Sequence, residues 1–98
     1  MRVIDLHCDT IWKISDSQIK SERIELIKNS LCVDQQKLID GNFYAMCFAA
    51  FVPNKYENPF ELCNYYFDVL FDRLKDCDKI APIFKFEDFE KNRKQGKI

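Results

Sequence analysis

Ninety-eight residues with 47% hydrophobic and 14% aromatic content specify one globular domain, too short for two and too apolar for a disordered chain. Fifteen Lys and Arg face sixteen Asp and Glu, a net charge of -1, so nothing calls for a nucleic acid or an anionic membrane as partner. The five cysteines, Cys8, Cys32, Cys47, Cys63 and Cys77, form no CxxC pair. Charges at Arg2, Asp5 and Asp9 break any apolar leader, and no apolar run reaches the length of a membrane span. Reduced thiols in a cytoplasmic protein are the expectation.

In chain order, residues 3–7 read as a short first strand, with a β-branched opening. Ile19, Ile24, Leu26 and Ile27 line one side of a helix over about 17–28, with a loop over the site as the alternative. Asp34 is an N-cap for a short helix through Ile39 that buries Leu38 and Ile39. Gly41 stops it. Residues 43–52 are almost wholly apolar and end at Pro53, which fits a strand buried on both faces in a parallel sheet, with a buried helix as the alternative. Asn58 and Pro59 open a long helix over 59–77, whose stripe of Phe60, Cys63, Phe67, Leu70, Phe71, Leu74 and Cys77 is read as sheet-packing core. Residues 80–84 are a short extended piece. Asp88 opens a last helix to about 95, Gly96 ends it, and Lys97 and Ile98 begin another strand. The basic run from Lys91 to Lys97 is a solvated helix face and its exit. Alternating strands and helices imply βαβ units and a parallel sheet.

The chemistry-bearing feature is Asp5-Leu6-His7-Cys8-Asp9-Thr10. Alternate residues of a strand project to one face, so His7 and Asp9 point together, about 6.5 Å apart at Cα, and Cys8 points away. On a helix the same pair would diverge by about 200°. Imidazole nitrogen with carboxylate oxygen suits zinc, and the C-terminal end of a barrel strand is where such chemistry gathers. A bare HxD also arises by chance. The plainer reading is a half-buried histidine bonded to a neighbour and an aspartate capping the next turn.

The wider sequence separates these readings. Asp5-Leu6-His7-Cys8-Asp9-Thr10-Ile11 resembles the opening motif of the membrane dipeptidase (renal dipeptidase) family of zinc peptidases. The stretch from Asn29 through Asp34 to Leu38, then Gly41 to Pro53, is similar to that family's short helix, glycine and buried second strand. Gly96-Lys97-Ile98 resembles the approach to its third strand. The resemblance implies the N-terminal part of a (β/α)8, TIM-type barrel: about two parallel strands with flanking helices. Residues 1–98 would then be a single incomplete domain. It implies a two-zinc centre, dipeptide hydrolysis, and His7 and Asp9 as ligands of one metal. The family's bridging glutamate, its further histidines and its proton-transfer residue have no counterpart here, since His7 is the only histidine. A barrel of this type needs roughly 250 residues, so the chain is expected to be inactive alone and to self-associate through exposed sheet edges.

Two other readings compete. A metal-dependent phosphoesterase or amidohydrolase also opens on a strand ending in metal ligands, but with HxH where this chain has Asp9. A non-enzymatic α/β module would bind a partner through Trp12, Tyr44, Tyr56, Tyr65 and Tyr66, which are more simply packing or isolated surface residues. Trp12 and Ile11 are expected to pack beside the site, and Cys8 has no second histidine to activate it as a nucleophile.

Overall fold

Two hydrophobic, β-rich segments pair as the centre of the fold. In the computed structural model, which describes residues 1–98, Val3–Cys8 (β1) lies parallel to Phe43–Phe48 (β2). Val3 sits beside Phe43, Ile4 beside Ala45, Asp5 beside Met46 and Cys8 beside Phe48, with irregular register after Val3 and again between Asp5 and Cys8. The connection carries two helices, Thr10–Ile19 (α1) and Gln35–Asp40 (α2), and β2 is followed by Pro59–Leu74 (α3) and Phe86–Lys94 (α4). The chain is therefore an α/β domain with a two-stranded parallel sheet and flanking helices. No helix is long and apolar enough to cross a membrane.

The first helix corrects the sequence reading. It begins directly after β1, at Thr10, and the residues proposed for a helix over 17–28 are largely irregular. Thr10, Ile11, Ile14 and Ser15 are its buried face, one, three and four residues apart, as one side of a helix requires. Ile24 and Ile27 are three residues apart, as a helix face would allow, but residues 22–28 form no helix. Only Leu26 is fully buried, and it plugs the core from a bend, while Ile27 is exposed. Ser21 ends the helical run with φ +61°, a left-handed conformation unfavourable for serine.

Local capping explains α2. The Asp34 carboxylate accepts the Lys37 backbone N–H at 2.8 Å and the Asn29 backbone N–H at 2.9 Å, and pairs with Lys37 Nζ at 2.5 Å. Leu38 is buried, but Ile39 is exposed, contrary to expectation. Gly41 does close the helix, though not through a left-handed conformation: its φ is -78°. A Cβ there would meet the Phe43 ring at 2.7 Å, so a larger residue would have to displace that ring.

Three further expectations need revision. β2 ends at Phe48, not at 52, and none of its residues is fully buried. A parallel strand is covered on both faces only inside a larger sheet, and this one has a single neighbour. α3 ends at Leu74, and the stripe assigned to its core is split: Phe60, 78% exposed, Phe67 and Phe71 face outward, whereas Leu70 and Leu74 pack against the core and Cys77, just beyond the helix, is buried in it. The buried face holds Tyr66, Val69 and Arg73, since α1 packs against α3. The helix is apolar around much of its circumference, so periodicity alone did not identify the covered side. α4 starts at Phe86, two residues before Asp88, whose carboxylate accepts the backbone N–H groups of Phe84 and Lys85.

Residues 80–84 form no strand, but Ile98 closes back on this segment: its N–H donates to Lys79 O at 2.7 Å and its carbonyl accepts from Ala81 N–H at 2.9 Å. Gly96, at φ +68°, makes the left-handed turn that ends α4. The core gathers Ile11, Ile14, Leu26, Leu38, Val69, Cys77 and Ile80, with Met46 and Phe48 of β2 packed against it.

Candidate metal centre

Because the strands are parallel, both C-terminal ends fall at one end of the sheet. There Ala49 N–H donates to Cys8 O at 2.9 Å, tying the exit of β2 to the exit of β1. The chain then turns at Asp9 into α1, where Trp12 N–H donates to Asp9 O at 3.1 Å.

The structure brings His7 and Asp9 together, with His7 Nε2 3.0 Å from Asp9 Oδ1. Strand alternation is not the whole cause. Asp9 lies beyond β1, with φ -97° and ψ 14°, at the residue preceding α1. The turn into the helix sets its direction. Its side chain makes no capping bond to α1, so the carboxylate is available to the imidazole. Asp5 supports the arrangement from behind: Oδ1 accepts the backbone N–H of His7 at 3.0 Å.

The pair has the dimensions of two ligands on one cation. With zinc–nitrogen and zinc–oxygen distances near 2.1 Å and a tetrahedral angle, the two donor atoms stand about 3.4 Å apart. The observed separation is a few tenths of an ångström shorter, a hydrogen-bonded pair that a small rotation would open. The side chains are 62% and 43% exposed, so the pair itself contributes at most about 1 kcal/mol to stability and is open to solvent species. No third His, Cys, Asp or Glu joins them in a metal-holding cluster. Two donors are fewer than the three protein ligands a catalytic zinc normally takes.

The neighbours take non-ligating roles. Burial pushes the Cys8 thiol up, against a lowering by its bonds to Thr10, and Asp5 and Asp9 add to the rise, so this thiol is a poor nucleophile at neutral pH. Ile11 is buried in the core. Trp12 packs edge-to-face on Phe51, with ring centroids 6.1 Å apart at 68°. The tyrosines form no common surface: Tyr66 is buried, Tyr44 lies under the Arg2 guanidinium at 4.4 Å, and Tyr56 and Tyr65 line a separate open depression beside Ile19. Phe51 was not singled out from the sequence. The apolar run ending at Pro53 masked it.

No protein-family model, curated protein or solved structure matches this chain.

Proposed function

We propose that this chain supplies part of one metal site of a zinc-dependent dipeptidase, with His7 and Asp9 as ligands, and that its two strands belong to a (β/α)8-type barrel. The observation that supports this most is the 3.0 Å approach of His7 Nε2 to Asp9 Oδ1, at the C-terminal end of a parallel strand pair, where barrel enzymes assemble their chemistry. The resemblance of the opening motif to the membrane dipeptidase family supplies the substrate class.

A zinc ion held there would supply Lewis acidity for peptide hydrolysis. The chain's own residues would do the holding. His7 offers a neutral imidazole nitrogen, Asp9 a carboxylate oxygen, and Asp5 fixes the His7 backbone. A catalytic zinc normally takes three protein ligands, so the remaining donors come from outside these 98 residues. The 98-residue chain should accordingly hydrolyse no dipeptide with or without zinc. A longer protein containing it should hydrolyse dipeptides in a metal-dependent way, and lose at least a hundredfold in kcat/KM on His7→Ala. Hydrolysis of phosphate esters in place of dipeptides would favour the phosphoesterase reading. Full activity without His7 and Asp9 would refute both.

A further inference from the structure

We draw no further inference here: the strongest candidate, the apolar groove of about 440 Å³ between the open edge of β2, α3 and residues 80–84, is an unpartnered face, and nothing in the structure shows what covers it.

Discussion

The two ends of the sheet are built differently. At the C-terminal ends of the strands, His7 and Asp9 lie exposed and bonded chiefly to each other. At the opposite end, the segment linking α1 to α2 is held by dense, buried polar contacts. Arg73, only 2% exposed, donates from Nε to Ile24 O at 2.8 Å and from its terminal nitrogens to Gln18 Oε1 and Asp72 Oδ2, each at 2.5 Å. Asn29 donates to the carbonyls of Glu25 and Val33. The buried Gln35 side chain bonds both Asp78 and Lys79 N–H. One end spends its polar groups on holding loops; the other leaves donors facing water. Such a division suits a scaffold whose stability and chemistry sit at opposite ends of parallel strands.

Mutations should separate the two ends cleanly. The largest effect is expected from Arg73→Ala, which strands Ile24 O and Gln18 without their donor and opens space beside Val69. It should cost about 3 kcal/mol in urea unfolding, and Arg73→Met should recover part of that by refilling the volume. Asp34→Ala comes next, at about 2 kcal/mol, because it removes the N-cap and the Asn29 and Lys37 contacts together.

Asp34 also gives that end a pH signature. Burial alone would raise its carboxyl, but the bonds from Lys37 and Asn29 prevail and hold it below the usual range. A carboxylate depressed in the folded state stabilises above the unfolded pKa of about 3.9 and loses that contribution as pH falls through the folded value. The urea midpoint should therefore drop below about pH 4, and Asp34→Asn should flatten that drop. An unchanged acid limb in the variant would count against the assignment.

Smaller effects should follow at Ser21 and then at the candidate site. Ser21→Gly relieves the left-handed φ of +61° and should stabilise by roughly 0.5–1 kcal/mol. His7→Ala and Asp9→Ala should each change stability by less than about 0.5 kcal/mol. A loss above 2 kcal/mol at either would make the pair structural and erase the contrast between the ends.

The sequence was most informative where the physics is local. Asp34 and Gly41 bound α2 through contacts within a few residues, and the apolar run after Asn42 gave β2 its start. The convergence of His7 and Asp9 was legible because two residues of separation constrain it strongly, although the turn at Asp9 contributes along with the strand. What failed was long-range. Arg73 meets Gln18 and Ile24 across 55 and 49 residues, and nothing in its surroundings announced a buried arginine except its place one turn beyond Val69. The covered side of α3 depends on where α1 packs. The length of β2 depends on a neighbour that the pattern of its own residues does not specify.

Zinc titration followed at His7 Nε2 by nitrogen-15 NMR tests the central claim most directly, since His7 is the only histidine. A saturable, zinc-dependent shift of that nitrogen, weakened at least tenfold in affinity by Asp9→Asn, is the expected result. A resonance that ignores zinc, or a shift that Asp9→Asn leaves untouched, would contradict it and leave the pair as a surface hydrogen bond.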